Sequence, residues 1–376
     1  MKIEVVECFD YLLGYVHGEY VMSGGRAATT QVGTLVSIRT DEGVEGWGEI
    51  TTLGATYLPA HADGVRAALH LLGPHILGCD PTNTSALWRV MDSALLDNPY
   101  AKSAIDIACW DIKGKVLGEP IAVLLGGVQQ VDFPIYEAVP LGAPDEMAGF
   151  VERRSSAGIN RFQLKVGNEP SLDVARTKAA VTAAQDDAIV IADANGGWSL
   201  LEARQAIRAM ADLPVLIEQP CRTTSDCAQV VRHSALPLVL DESVVSIPDV
   251  FEAKYAACAS SINIKLSRVG GITKAAQMRD VMQNLNLSVS VEDMWGGDVI
   301  TAAVSHLAAS TRPESLLMTS FFNDWTDGHI AGYQPRSVGG RGAAPSGPGL
   351  GIDVDPSSLR RVFSVSDRTL TSAAIS

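Results

Sequence analysis

Five short apolar segments of the sequence each end in a charged residue that can take part in catalysis. The segments end at Lys165, Asp193, Glu218, Asp241 and Lys265, at intervals of 28, 25, 23 and 24 residues. Each segment is rich in β-branched residues, as buried parallel strands are. A strand with its returning helix takes about 30 residues. The spacing therefore predicts successive strand–helix units with a charged group at the carboxyl end of each strand.

Three carboxylates between two lysines favour metal-assisted proton transfer. Asp193, Glu218 and Asp241 supply the oxygen ligands that Mg²⁺ prefers. A bound dication can polarise a substrate carboxylate and stabilise the charge left when the adjacent α-proton is removed. Burial and a nearby dication can lower the pKa of a lysine toward the range of a useful base, so Lys165 and Lys265 are candidate acid/base groups. Taken singly, each of these residues could instead be part of a structural ion pair.

The order of elements predicts an α/β protein with a (β/α)8-type barrel and an N-terminal α+β capping domain. In such a barrel the active site lies at the carboxyl ends of the strands. Residues 1–130 first alternate like antiparallel strands and then show helical periodicity, which predicts the capping domain. Residues 131–340 are assigned to the barrel. The tail, about 340–376, is expected to return as a strand at Leu350–Val354 and complete the capping domain.

Composition narrows the classes of partner. The chain of 376 residues has a formal net charge of −14 and 47% hydrophobic residues. A net negative charge argues against binding to nucleic acid or to an anionic membrane. We find no membrane span, no signal peptide and no zinc spacing among the six cysteines. These observations favour a cytoplasmic enzyme with a small-molecule substrate, and we expect a homo-oligomer.

The order Lys–Asp–Glu–Asp–Lys resembles the muconate lactonizing enzyme subgroup of the enolase superfamily. Further segments are similar to the same family along the whole chain: Gly46-Trp47-Gly48-Glu49, the helical segment Ala104–Lys115, Leu124-Leu125-Gly126-Gly127 and Pro348-Gly349-Leu350-Gly351-Ile352. The resemblance implies a lysine base and a Mg²⁺ ion that stabilises an ene-diolate.

The resemblance also implies a role for each matching residue. The implied acid/base pair is Lys165 and Lys265. The implied Mg²⁺ ligands are Asp193, Glu218 and Asp241, and Mn²⁺ is expected to substitute for Mg²⁺. The implied supporting residues are Asn195 and Glu242. One position departs from the family pattern. Gln163 stands where the family usually has a lysine whose charge lowers the pKa of the next lysine along the strand. The metal must therefore contribute more of that effect here.

Three aromatic residues on predicted barrel-mouth loops could form a wall around a compact cation. They are Tyr57, Trp295 and Trp325, and Asp293 and Asp324 could pair with the same cation. Each could also be ordinary packing. The Tyr57 loop and the Trp295-Gly296-Gly297-Asp298 segment most resemble family members that act on proline derivatives.

The sequence thus predicts Mg²⁺-dependent removal of the α-proton of a small cyclic amino acid. The leading reaction is dehydration of cis-3-hydroxy-L-proline to Δ1-pyrroline-2-carboxylate, with 2-epimerisation as a side activity. The alternatives are a 2-epimerase of 4-hydroxyproline, its betaine or proline, and a sugar-acid dehydratase. From another class, the chain could be an inactive barrel that only binds a ligand, although the intact lysines and carboxylates argue against this.

Overall fold

A computed structural model describes residues 1–232 and 234–366 of the chain. The N-terminal part is built from strands and then helices. Its elements are β1 (Ile3–Gly14), β2 (Tyr20–Val21), β3 (Ala27–Ala28), β4 (Thr30–Thr40), β5 (Glu45–Thr51), α1 (Ala62–Ile76), α2 (Thr84–Ala94), α3 (Pro99–Leu117) and α4 (Ile121–Leu124).

Strands and helices then alternate through the barrel. The strands are β6 (Phe133–Pro134), β7 (Glu137–Val139), β8 (Arg161–Lys165), β9 (Ile189–Asp193), β10 (Val215–Glu218), β11 (Leu238–Leu240), β12 (Ser261–Lys265), β13 (Ser288–Glu292) and β14 (Leu316–Thr319). The helices are α5 (Pro144–Ser156), α6 (Pro170–Ala183), α7 (Leu200–Ala209), α8 (Thr224–Val231), α9 (Ile247–Tyr255), α10 (Leu266–Val269), α11 (Ile272–Asn284) and α12 (Asp298–Ala309). The tail adds β15 (Arg341–Gly342) and β16 (Arg360–Ser366).

Strands β7 to β14 form one eight-stranded parallel sheet in chain order. A parallel bridge between Ile135 and Thr319 joins the segment just before β7 to the last strand, β14, and the Tyr136 N–H donates to the Thr319 carbonyl at 3.0 Å. The predicted barrel with an α+β capping domain is confirmed. Among the described residues, no helix is both long and apolar enough to cross a membrane.

The register of the barrel strands brings their charged ends to one level. Lys165 pairs with Asp193, Asp193 pairs with Glu218, and Lys265 pairs with Glu292 in neighbouring strands. Side chains that end adjacent parallel strands in this way emerge at the same edge of the sheet. Strand register therefore concentrates the charges predicted from the sequence at one mouth of the barrel.

The capping domain contains a four-stranded sheet in the order β16-β1-β4-β5. Helix α3 packs directly on β5 because two glycines allow close approach. A Cβ atom at Gly46 would lie 2.2 Å from the Ala108 carbonyl oxygen, and one at Gly48 would lie 1.9 Å from that of Ala104. Two of the segments that carry the family resemblance are therefore the two sides of one helix–strand contact.

The predicted strand at Leu350–Val354 is wrong, since these residues form no regular element. The Leu350 N–H donates to Oδ1 of Asp111 at 2.8 Å, and its carbonyl accepts from Nε2 of His306 at 3.1 Å. These backbone groups are bound by helix side chains and are not available to a sheet partner. Instead β16 pairs with β1, about ten residues later. The last part of the predicted tail, residues 367–376, lies outside the described residues.

Glu49 joins the two parts of the molecule. The side chain is fully buried and accepts from the Tyr11 hydroxyl at 2.6 Å and from the backbone N–H groups of Gly297 and Ile300 at 2.7 and 2.9 Å. Burial raises the pKa of Glu49 to about 7, against the effect of these donors. The carboxylate therefore connects β5 to the start of α12.

Glu49→Ala should lower the free energy of unfolding by about 3 kcal/mol or more, because three buried donors lose their acceptor. Urea unfolding followed by tryptophan fluorescence would measure the change. Glu4→Ala is a matched control, since Glu4 is exposed on β1 and its loss should cost no more than about 0.5 kcal/mol. Equal, small effects of the two changes would show that the junction does not depend on Glu49.

Candidate active site

Lys165, at the carboxyl end of β8, lies between an amide and a carboxylate. Its ammonium donates to Oδ2 of Asp193 at 2.6 Å and to Oε1 of Gln163 at 2.8 Å. Burial lowers the pKa of Lys165, but Asp193 and the other negative groups around it together raise it more, so that it lies above its ordinary value. Lys165 is therefore protonated in this arrangement and must lose a proton before it can act as a base.

Lys265 occupies the matching place on β12, four strands away in the barrel. Its ammonium donates to Oδ2 of Asp241 at 2.7 Å and to the Tyr57 hydroxyl at 3.0 Å, and Oε1 of Glu292 is 3.6 Å away. Burial lowers the pKa of Lys265, and the surrounding carboxylates, Asp241 first, raise it above its ordinary value. The second and sixth strands of an eight-stranded barrel face each other, so the two lysines approach the barrel mouth from opposite sides.

Asp241 is held by two cations. Lys265 binds one of its oxygens, and Nη1 of Arg268 lies 2.8 Å from the other. Burial raises the pKa of Asp241, but Arg268 and Lys265 hold it below its ordinary value. Arg268 also donates to the carbonyl of Asn263 at 3.0 Å, which connects the start of α10 to β12.

Glu218 is the central carboxylate of the site. Nε2 of Gln163 donates to both of its oxygens at 3.0 Å, and Nδ2 of Asn263 donates to one of them at 2.8 Å. Burial, together with the two neighbouring strand-end carboxylates, raises the pKa of Glu218 well above its ordinary value. The amide of Gln163 thus bridges Glu218 and Lys165, so this position supplies a neutral link in place of the charge that the family usually has there.

Asn195 and Glu242 connect the carboxylates to the capping domain. Asn195 donates its backbone N–H to Asp193 at 2.8 Å, and its Nδ2 donates to Asp193 at 2.9 Å and to Glu242 at 3.0 Å. The Tyr57 hydroxyl donates to the same oxygen of Glu242 at 2.7 Å. Burial raises the pKa of Glu242 to about 7. One loop of the capping domain therefore reaches the catalytic end of the barrel through Tyr57.

The predicted aromatic residues are placed in two groups. The ring centroid of Trp295 lies 6.4 Å from that of Trp325 and 5.2 Å from that of Tyr20, a capping-domain residue. Tyr57 instead places its ring centroid 5.4 Å from Nζ of Lys265. The structure therefore brings the two tryptophans together and puts Tyr57 beside Lys265.

The two acidic residues that we expected to meet a substrate cation have protein partners. Oδ1 of Asp293 accepts from the backbone of Met294 at 2.7 Å, and Oδ2 accepts from the backbone and hydroxyl of Ser267 at 3.0 and 2.7 Å. The oxygens of Asp324 accept from the hydroxyls of Tyr333 and Ser337. Their pairing with a substrate stays a prediction.

Several residues of the site were missed in the sequence. The structure adds Glu292, Tyr136, Tyr20, Arg268 and Asn263. Glu292 carries the same signal as the five predicted residues, since it ends barrel strand β13. Gln163 and Asn263 each precede a strand-end lysine by two residues, a spacing that puts side chains on the same face of a strand. No comparable signal exists for Tyr20 or Tyr136, which are ordinary aromatic residues in their local sequence.

Residues 15–30 of the capping domain, which we call the lid segment, cover the barrel mouth. Lys165 and Lys265 are only 4% and 5% exposed beneath it and the Tyr57 loop. Three barrel loops hold the lid segment by hydrogen bonds: Val16 N–H to the Trp325 carbonyl, Leu141 N–H to the Val21 carbonyl, and Gly24 N–H to Oδ1 of Asn168. The structure is therefore a closed form.

The barrel mouth holds more negative than positive side chains. We call this set the charge cluster; it consists of Asp193, Glu218, Asp241, Glu242 and Glu292 with Lys165, Lys265 and Arg268. All are buried except the partly exposed Glu242. Five carboxylates against three cations leave two negative charges uncompensated when all are ionised, and this imbalance equals the charge of one dication.

The donor chemistry of the charge cluster fits a hard divalent metal ion. The strand-end ligands are all carboxylate oxygens, which such ions prefer. As the side chains stand, the described residues contain no group of three or more acidic, histidine or cysteine side chains placed to hold a metal. Lys165 and Lys265 each bind an oxygen of a carboxylate that the sequence predicted as a metal ligand. Binding of a metal and release of the lysines are therefore linked.

Comparison with known proteins agrees with this architecture. Residues 146–358 match the family model "Enolase C-terminal domain-like", and residues 17–126 match "Mandelate racemase / muconate lactonizing enzyme, N-terminal domain". A cis-3-hydroxy-L-proline dehydratase from Roseibium aggregatum is 42% identical, over 94% of this chain and 96% of that protein. An N-succinyl-L-Arg/Lys racemase from Bacillus cereus is 29% identical, over 83% of this chain and 85% of that protein.

A solved structure is similar throughout. It is a mandelate racemase/muconate lactonizing enzyme-type protein from Roseovarius nubinhibens complexed with magnesium. It superimposes with a TM-score of 0.94 at 33% identity and covers 97% of this chain and 100% of that chain. The fold and site thus define a metal-assisted α-proton-abstracting enzyme. The chain belongs to the mandelate racemase/muconate lactonizing enzyme group of the enolase superfamily, whose members bind Mg²⁺. The resemblance predicted from the sequence is confirmed.

Arg268→Met should lower the free energy of unfolding by about 3–5 kcal/mol, because it leaves a buried carboxylate of Asp241 with one cation in place of two. Guanidinium chloride unfolding of the metal-free protein would measure the change. Arg268→Lys should recover part of the loss, since an ammonium can still pair with Asp241. Wild-type stability in the methionine variant would show that Lys265 alone satisfies Asp241.

Proposed function

We propose that this enzyme dehydrates cis-3-hydroxy-L-proline to Δ1-pyrroline-2-carboxylate. The observation that carries the proposal is the pair of buried lysines on opposite strands of the barrel, each beside a carboxylate. The 42% identity to a protein of that activity, over nearly the full length of both chains, supports the choice of substrate. Trp295 and Trp325 support it too, because a wall of aromatic rings suits a compact ring that carries an ammonium group better than a polyol.

The lysines divide the reaction between two faces of the substrate ring. In cis-3-hydroxy-L-proline the carboxylate and hydroxyl share one ring face, so the α-hydrogen and the hydroxyl lie on opposite faces. The family resemblance puts Lys165 on the face of the L α-hydrogen. Lys165 then removes that proton, and Lys265 protonates the departing hydroxyl. The product is an enamine, which tautomerises to the cyclic imine.

The carboxylates would hold a divalent ion for this chemistry. We infer that Asp193, Glu218 and Asp241 are the ligands, with Asn195, Glu242 and Gln163 orienting them. A bound Mg²⁺ supplies charge stabilisation for the substrate carboxylate as the α-proton leaves. Mn²⁺ should substitute, because its ligand preference is similar. The expected homo-oligomeric state and cytoplasmic location stay predictions.

The second candidate is a 2-epimerase of proline, 4-hydroxyproline or its betaine. One observation favours it: two lysines approach the barrel mouth from opposite sides, so that one can remove the α-proton from one face and the other can return a proton to the opposite face, which is all that epimerisation needs. The racemase and epimerase relatives among the similar proteins support the same chemistry. Epimerisation and dehydration share the first step and differ in whether a leaving group is present at C3.

Incubation of the Mg²⁺-loaded enzyme with cis-3-hydroxy-L-proline in D₂O should give a product that has lost one water molecule, seen by mass spectrometry. Epimerisation would instead keep the oxygen and add one deuterium at the α-carbon. Recovery of unchanged substrate without deuterium would contradict both proposals. trans-3-Hydroxy-L-proline is the matched control, because its hydroxyl lies on the wrong face for anti elimination.

Chelation of divalent ions should abolish turnover, and Mg²⁺ or Mn²⁺ should restore it. The reason is that the uncompensated carboxylates need a dication before a lysine can be released. Glu218→Gln should lower kcat by orders of magnitude even at high Mg²⁺, because the substitution removes one anionic ligand. Glu169→Gln is a control on an exposed carboxylate. Full turnover by the chelated enzyme would contradict the metal assignment.

Lys265→Ala should still exchange the α-proton of L-proline with D₂O, and Lys165→Ala should not, because each lysine serves one face. Proton NMR of the α-signal would measure exchange, and each positioned proton transfer contributes roughly 10²–10⁴-fold. Exchange only in Lys165→Ala would reverse the two roles. Equal loss in both variants would show that the lysines act as one unit.

A further inference from the structure

Glu292 has a buried oxygen without a hydrogen-bond partner. Its Oε2 accepts from the Tyr136 hydroxyl, whereas its Oε1 is buried and accepts from no donor among the described residues. The nearest ammonium, that of Lys265, is 3.6 Å from Oε1 and donates instead to Asp241 at 2.7 Å. Buried carboxylate oxygens are rarely left unpaired, so a missing donor is expected at this point.

Oδ1 of Asp241 and Oε2 of Glu242 are also buried without a hydrogen-bond donor, but Nη1 of Arg268 lies 2.8 Å from the former, and the Glu242 side chain is partly exposed. Asp293 and Asp324 do not show the deficit. Both oxygens of Asp293 accept from Ser267 or the Met294 backbone, and both oxygens of Asp324 accept from hydroxyls. Glu292 ends β13 and lies against Tyr136 and Lys265, whereas Asp293 follows the strand and is bound by Ser267 and the Met294 backbone.

The position of Glu292 suits one part of the proposed substrate. β13 is the seventh barrel strand and β9 the third, so Glu292 lies across the barrel from Asp193, whereas β10 and β11, which lead to Glu218 and Asp241, are three and two strands away. Tyr136 binds Glu292 and packs against Trp325, with ring centroids 5.7 Å apart. A ligand whose carboxylate faces the metal side therefore presents its opposite end to a carboxylate flanked by aromatic rings.

We propose that Glu292 binds the ring ammonium of the substrate through Oε1. The inference rests on the proposed function in that the ligand is taken to be a cyclic amino acid. A secondary ammonium has two N–H donors, and one of them satisfies the unpaired oxygen. The aromatic rings nearby add attraction for the cation. The two ends of the amino acid are then held on opposite sides of the barrel, with the α-carbon between the lysines.

Binding of two ligands to the Mg²⁺-loaded enzyme would test this assignment by calorimetry. L-Proline carries the ammonium, and (S)-tetrahydrofuran-2-carboxylate replaces it with a neutral ring oxygen. The wild-type enzyme should prefer L-proline. Glu292→Gln keeps the shape and the contact to Tyr136 but loses the charge, so it should weaken L-proline binding about 10- to 100-fold. Binding of the neutral ligand should change no more than about twofold, which also reports that the site is folded.

Three further variants sharpen the result. Glu292→Asp retains the negative charge but places it one methylene farther from the ligand. Its preference for L-proline should therefore lie between those of the wild type and Glu292→Gln. Glu169→Gln, on an exposed carboxylate, is the control whose preference should equal that of the wild type, and Asp324→Asn tests an acidic residue that the sequence predicted to pair with the cation. Equal binding of the two ligands by the wild type, or loss of preference in Asp324→Asn but not in Glu292→Gln, would overturn the proposal.

The outcome is separate from that of the dehydration assay. A wild-type enzyme that prefers L-proline, loses this preference in Glu292→Gln and yet does not dehydrate cis-3-hydroxy-L-proline would support the ammonium site and contradict the proposed reaction. Dehydration of cis-3-hydroxy-L-proline by an enzyme that does not prefer L-proline to the neutral ligand would support the proposed reaction and contradict the ammonium site.

Discussion

The charge cluster is the constraint on which the rest of the structure depends. Carboxylates in a dry barrel mouth repel one another far more than they would in water. Two lysines and one arginine offset part of this repulsion, but they leave two negative charges uncompensated when all five carboxylates are ionised. A ligand that compensates the remaining negative charge must place positive charge at the carboxyl ends of the barrel strands. The same imbalance that opposes folding is therefore what the proposed metal ion and zwitterionic substrate would offset.

The capping domain determines how strongly these charges act. Tyr57 and Tyr20 come from capping-domain loops and reach the lysines, and the lid segment holds water away from them. Exclusion of water strengthens every electrostatic interaction inside. The hydrogen bonds that fasten the lid segment to three barrel loops thus help to keep both lysines covered. Opening of the lid segment must precede substrate entry, since both lysines are almost fully covered.

The sequence predicted the parts of the site that repeat with the barrel. Lys165, Asp193 and Lys265 could be found because each ends a buried strand and the strands recur at an even interval. Glu292 also ends a barrel strand, but a substrate contact was predicted for the next residue, Asp293, and Glu292 was given no role. The strand at Leu350–Val354 was misplaced for a different reason. Its backbone bonds go to side chains distant in sequence, which no local pattern reports.

The sheet of the capping domain has a consequence for the order of folding. β1, near the start of the chain, pairs on one side with β4 and on the other with β16, more than 300 residues later. During synthesis one edge of β1 therefore stays unpaired until the ribosome has made the whole barrel and then β16. Long-range pairings of this kind form slowly and leave an aggregation-prone edge in the meantime. A ribosome-bound chain that ends before Arg360 should consequently hold a capping sheet in which one edge of β1 is still unpaired.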